Sequence, residues 1–129
     1  MTDQIAFAHS VAEAVLHRFG PLTPPWQILA ADLDTNVFPS PFLPTSVAVT
    51  LGNGRKPEIA LYPLITDTET AVTELAGQIQ DHVIESTGGL ALPRCPGHQH
   101  PMTARVDNGT AYWLCPANPT HHREPIIPT

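Results

Sequence analysis

Proline is the feature that most narrows what this chain can fold into. Fifteen of the 129 residues are proline, a residue that fixes φ, donates no amide hydrogen, breaks helices and is confined to sheet edges. Most of them gather in two stretches, Pro21 to Pro44 and Pro93 to Pro128. Regular elements should therefore be few, and extended connections should carry much of the fold. At this length the chain is one domain's worth, a core with a small appendage.

Hydrophobic periodicity supplies the elements. Ile5, Ala8, Ala12, Val15, Leu16 and Phe19 recur at spacings of three and four, with Phe7 and Val11 widening the stripe. This predicts an N-terminal helix, capped by Thr2 or Asp3 and stopped by Gly20-Pro21, with His9 and His17 as ordinary surface histidines. Trp26 to Leu33 reads as a brief strand or helical turn within a proline-rich arm, residues 21–45. The arm's Val37, Phe38, Phe42 and Leu43 either pack back on the core or grip a neighbouring subunit.

Ser46 to Leu64 predicts a β-hairpin. Val47, Val49 and Leu51 alternate with small or polar residues, Gly52-Asn53-Gly54 makes the turn, and Ile59 and Leu61 resume the alternation. Pro57 and Pro63 mark the return strand as an edge. A second helix should run from Asp67 to about Glu85, with Thr66-x-x-Glu69 as a capping box. Its apolar stripe is Val72, Leu75, Ala76, Ile79 and Val83, and Gly88-Gly89 ends it. Glu69, Glu74, Asp81 and Glu85 then form a solvated face and His82 a surface position, not catalytic groups.

Beyond residue 92 the composition changes: residues 93–129 hold both cysteines, four of the seven histidines and seven prolines. Cys95-x2-His98 precedes a predicted hairpin, Thr103 to Val106 and Ala111 to Leu114 about the turn Asp107-Asn108-Gly109, and Cys115-Pro116 and His121-His122 follow it. That order is the layout of a zinc ribbon. A two-residue gap points a thiolate and an imidazole at one ion, and the hairpin returns a second pair to the same place. Zinc, tetrahedral and without redox chemistry, suits mixed sulfur and nitrogen ligands. The expected site is a structural Zn2+ held by Cys95, His98, Cys115 and His121, with His122 in place of His121 as a variant. A set drawn from His98, His100 and both cysteines, a Cys95–Cys115 disulfide, and unliganded side chains on a proline-rich tail are the alternatives. Such an ion contributes on the order of 10 kcal/mol or more to a module with little core of its own.

The expected fold class is therefore α+β: an N-terminal helix, a β-hairpin packed by an amphipathic helix, and a C-terminal zinc-ribbon-like β-hairpin. The expected division is a core over residues 1–92 and a zinc-ribbon-like module with an extended tail over 93–129. The run from Ala71 to Pro116, with CPGHQHPM and DNGTAYWLCP, resembles a group of small uncharacterised proteins of actinobacteria and their phages. In that group a CPxHxHP segment precedes an aromatic-x-Cys-Pro segment. Cys95, His98, His100 and Cys115 stand at the shared positions, and the resemblance implies no activity.

Charge limits the partners. Twelve acids against six bases give a formal charge of −6, a field that repels phosphate backbones, so nucleic acid is not expected as a partner. No basic n-region with an uninterrupted apolar run opens the sequence and no stretch is long enough to span a bilayer, so a soluble protein of the cytoplasm, or of a virion, is expected. With no H-x-E or H-E-x-x-H pattern and no second cysteine two residues after Cys115, a zinc hydrolase or deaminase lacks its signature. The function expected is a non-catalytic assembly or adaptor module, not an enzyme. It would bind a protein partner or further copies of itself through the proline-rich arms and the apolar Ile126-Ile127.

Overall fold

The two long stretches with a helical apolar stripe are both helices in the structure, a computed structural model that describes residues 3–34, 45–118 and 120–127. Helix α1 spans Gln4–Phe19 and buries Ala8, Val11, Ala12, Val15 and Phe19. Asp3 caps it by accepting the Ile5 amide at 3.0 Å, and Gly20, at φ +82°, leaves the helix where few other residues would. Thr2, the other candidate cap, lies outside the described residues. Helix α2 spans Thr68–Ser86 and buries Ala71, Val72, Leu75, Ala76, Ile79 and Val83.

The start of α2 differs from the expected capping box. Asp67 is the cap, its carboxylate accepting the Thr70 amide at 3.1 Å, because it stands three residues ahead of that donor. Glu69 is thereby released from the helix end and reaches across to accept the Ala111 amide at 2.8 Å.

The first sheet is β1 (Gln27–Asp34), β2 (Ser46–Gly52) and β3 (Glu58–Pro63), antiparallel in the order β1-β2-β3. Val47 faces Tyr62 and Val49 faces Ala60 across β2 and β3, and this alternate set points into the core. The stretch expected as a brief strand or helical turn over Trp26 to Leu33 is a strand, one residue further along, with an irregularity between Ile28 and Ala30. The proline-free stretch 27–34 pairs with the open edge of β2, so tertiary pairing decides what local sequence left ambiguous. The arm residues Val37, Phe38, Phe42 and Leu43 lie outside the described residues.

Strand β3 is an edge, as its prolines require, and α2 covers it. The Gln78 amide imitates a neighbouring strand: its oxygen accepts from Leu61 N–H at 2.9 Å and its nitrogen donates to Leu61 C=O at 2.7 Å. One turn further along, His82 Nε2 meets Ile59 C=O at 3.1 Å. A helical step of four thus matches a strand step of two, and the exposed ladder groups are satisfied. His82 is spent on this edge.

The second sheet is β4 (Thr103–Asp107), β5 (Thr110–Leu114) and β6 (Arg123–Pro125), antiparallel in the order β4-β5-β6. The two-residue turn sits at Asn108 (φ +50°) and Gly109 (φ +79°), the left-handed pair that a tight hairpin needs. β6 makes the expected hairpin a three-stranded sheet. It also turns Ile126 inward, 2% exposed and bonded to Ala111 C=O at 3.0 Å, so this side chain finds its apolar partner within the chain rather than outside it.

The boundary near residue 92 separates the two sheets, while the buried side chains run on across it. Trp113, fully buried, packs its ring 6.1 Å from Phe19, and Cys95, Met102, Cys115 and Ile126 belong to the same cluster as both helices. Gln80 is the one polar side chain in that core among the described residues, and its amide donates to Leu92 C=O at 3.0 Å and Met102 C=O at 2.6 Å. It clamps both ends of the loop that carries Cys95, His98 and His100. Gln80→Ala orphans two buried carbonyls at about 1–3 kcal/mol each. Chemical denaturation is expected to show a lower midpoint with an unchanged slope, and an unchanged midpoint would contradict this role.

Candidate metal centre

The first half of the site follows from CPGHQHP. Proline at the second and glycine at the third position of a turn favour type II, which needs positive φ at the third. Gly97 has φ +78° and His98 N–H donates to Cys95 C=O at 3.0 Å. The chain then returns along itself, with Cys95 N–H to His100 C=O at 3.1 Å and Met102 N–H to Pro93 C=O at 2.8 Å. The chain bends through residues 98–100, and the His98 and His100 rings come within 4.6 Å of each other.

The second half comes from the other strand at the same open end of the β4–β5 ribbon, where Leu114 pairs with Thr103. Cys115 follows β5, and its amide donates to His122 C=O at 3.1 Å, which brings His122 back beside it. Asn118 shapes this loop, its side-chain oxygen accepting from the Thr120 amide at 3.0 Å and hydroxyl at 2.7 Å.

Four side chains converge: Cys95, His98, His100 and Cys115 place their ligand atoms all within 4.8 Å of one another. His98 Nδ1 lies 3.4 Å from Cys95 Sγ and 3.6 Å from Cys115 Sγ. Both sulfurs are fully buried, no disulfide joins them, and the four lie close enough to hold a metal ion. The fit is tested by His100. Its Nδ1 meets Pro101 C=O at 3.2 Å, which fixes the proton there, while its buried Nε2 has no hydrogen-bond partner. A bare imidazole nitrogen beside two sulfurs is a costly vacancy unless it donates its lone pair, and a carbonyl on the opposite ring nitrogen is the usual outer support of a ligating histidine.

Cys115 and His98 are shifted towards the forms that bind a metal, and Cys95 is shifted away from its own. Burial pushes the Cys95 thiol up, and the neighbouring Cys115 sulfur adds to it. Burial acts the same way on Cys115 but is outweighed by donation from the Asn118 amide, the Cys95 thiol and the Ala117 amide, which hold it below its ordinary value. Burial, with His121 and His100 nearby, pushes His98 down towards the neutral imidazole that ligation needs.

His121, the fourth ligand expected from sequence, is not in this group of four; His100 is. The His121 ring instead stacks on His98 at 4.5 Å, and its Nε2 donates to Pro96 C=O at 2.7 Å. His122 turns to Glu124 at 3.2 Å. The signal that could have favoured His100 is its closeness in sequence to Cys95 and His98, five and two residues away on the same short loop.

Comparison of the chain with protein-family models, with curated proteins and with solved structures gives no match.

Glu124 ties this region to α1. Its two carboxylate oxygens accept from Arg18 Nε and Nη2, both at 2.8 Å, a two-pronged bond between helix and β6. The Arg18 hydrogen bond, with help from His122, holds the Glu124 carboxyl below its usual range in spite of partial burial. A carboxyl depressed in the folded state stabilises fully above the unfolded value near 4.3, and the stabilisation is lost as pH falls from there through the folded value. The stability difference between the wild type and Glu124→Gln should therefore be constant above about pH 5.5 and shrink as acid is added. A difference independent of pH from neutrality to about pH 3 would contradict this.

Proposed function

We propose that the protein is a non-catalytic assembly or adaptor module whose C-terminal, zinc-ribbon-like unit is held shut by a structural Zn2+ on Cys95, His98, His100 and Cys115. The observation that carries this reading is the complete set of four ligand atoms, drawn from both strands at the open end of one β-ribbon. Structural zinc sites take four protein ligands in a tetrahedron, whereas catalytic sites keep a position open for water. Two thiols and two imidazoles favour zinc over the hard, oxygen-seeking cations. Among the described residues no other group of three or more histidine, cysteine or acidic side chains converges in this way.

The role in assembly rests on the surface. Leu29, Leu33 and Ile59 of the first sheet are 54%, 49% and 48% exposed, apolar area suited to a protein partner or to further copies of the chain. No helix among the described residues is long and apolar enough to cross a membrane. The acidic balance disfavours nucleic acid as the partner, and the resemblance of the CPGHQHPM and WLCP segments makes a phage particle one setting for such a module.

Protein purified without added metal should carry about one zinc per chain, and excess chelator should lower the melting temperature and redden the emission of Trp113, which is buried in the same cluster as Cys95 and Cys115. Light scattering should give a mass that rises with concentration above the 13.9 kDa of one chain. A metal-free protein with unchanged melting in chelator contradicts the structural ion, and a strict monomer that binds no protein from its host contradicts the assembly role.

A further inference from the structure

We infer that His121 is the clasp that retains the metal: a positioning residue whose ring covers His98 and whose Nε2–H ties the second loop of the centre to the first at Pro96. The inference rests on the four-ligand reading above.

Three of the four ligands are secured without it. Both cysteines are fully buried, and His100 is pinned through Nδ1 to Pro101 C=O. His98 differs. Partly buried like His100 but with its Nδ1 turned to the two sulfurs, at 3.4 and 3.6 Å, where His100 has its own on a carbonyl, it rests its ring against two others, His100 at 4.6 Å and His121 at 4.5 Å. An ion held by this set leaves most easily if His98 swings outward, and the solvent-facing His121 ring lies on that side.

The placement of His121 is built, not incidental. Its amide donates to Asn118 C=O at 2.9 Å, its Nε2 reaches Pro96 C=O at 2.7 Å, and the two rings lie within 27° of parallel. The ring lies against the Gly97 turn, whose glycine is required by its positive φ of 78° and from whose Cβ position the His121 atoms stand at an ordinary contact distance of 3.9 Å. An Nε2 that donates its hydrogen to a carbonyl offers no lone pair to a metal, so in this arrangement that nitrogen supports the site from outside. Partners of this outer kind alter metal affinity about 10-fold to 100-fold when removed.

Co2+ serves as the probe, because two thiolates in a tetrahedral field give it strong visible and near-ultraviolet absorption. The full chain and its His121→Ala, His121→Phe and His121→Gln variants are loaded with Co2+, and release to excess EDTA is followed by loss of that absorption. All four proteins are expected to bind one equivalent with the same spectrum. His121→Ala should release about 10-fold to 100-fold faster than wild type, and His121→Phe, which keeps a ring over His98, should recover much of the slow release. His121→Gln, which keeps a donor but no ring, should release nearly as fast as His121→Ala. Release from His121→Ala at the wild-type rate overturns the inference, and so does an altered spectrum or stoichiometry in that variant, which would make His121 a ligand. His121→Phe releasing as fast as His121→Ala overturns the stacking role. A wild-type chain that takes up no Co2+ instead overturns the structural-metal reading itself, an outcome distinct from the others.

Discussion

Two thiols and two imidazoles held within 4.8 Å of one another are the constraint around which the C-terminal third of this protein is organised. Without an ion that arrangement is unfavourable: burial opposes ionisation of the Cys95 thiol, and a buried ring nitrogen has no partner. With one, the same groups satisfy each other, and the two strands at the open end of the β4–β5 ribbon become a single tied point. The ribbon's own side chains contribute little area outside Trp113, Ala111 and Leu114, so a cross-link of this kind supplies stabilisation that burial alone gives sparingly in a small module.

The remainder of the fold positions that point through α2. On one side Gln78 and His82 satisfy the edge of β3, and on the other Gln80 and Glu69 hold Leu92, Met102 and Ala111 of the half that carries the cysteine–histidine cluster. Arg18 and Glu124 repeat the link from α1. Each of these bonds joins a side chain to a partner far along the chain, and together they orient one sheet against the other through a shared apolar core.

This pattern explains what the sequence discloses and what it conceals. The two helices, the hairpin over β2 and β3 and the Asn108-Gly109 turn are legible because apolar spacing and positive-φ residues act locally. β1 was ambiguous because its pairing with β2, not its own propensity, makes it a strand. Glu69 reads as a capping and solvated residue, and nothing in a helical repeat tells a buried amide such as Gln80 from a solvated one. The identities of Cys95, His98 and Cys115 as site residues followed from knuckle spacing. The choice between His100 and His121 turned on the path of the loop after Cys115, where the chain brings both imidazoles beside His98 and only one of them into the group.

The central claim concerns which atoms surround the ion, and X-ray absorption at the zinc edge of the purified protein measures that directly. A tetrahedral shell of two sulfurs at about 2.3 Å and two imidazole nitrogens at about 2.0 Å is the expected result. A shell of oxygens only, or a sample with no zinc edge beyond background, would contradict it.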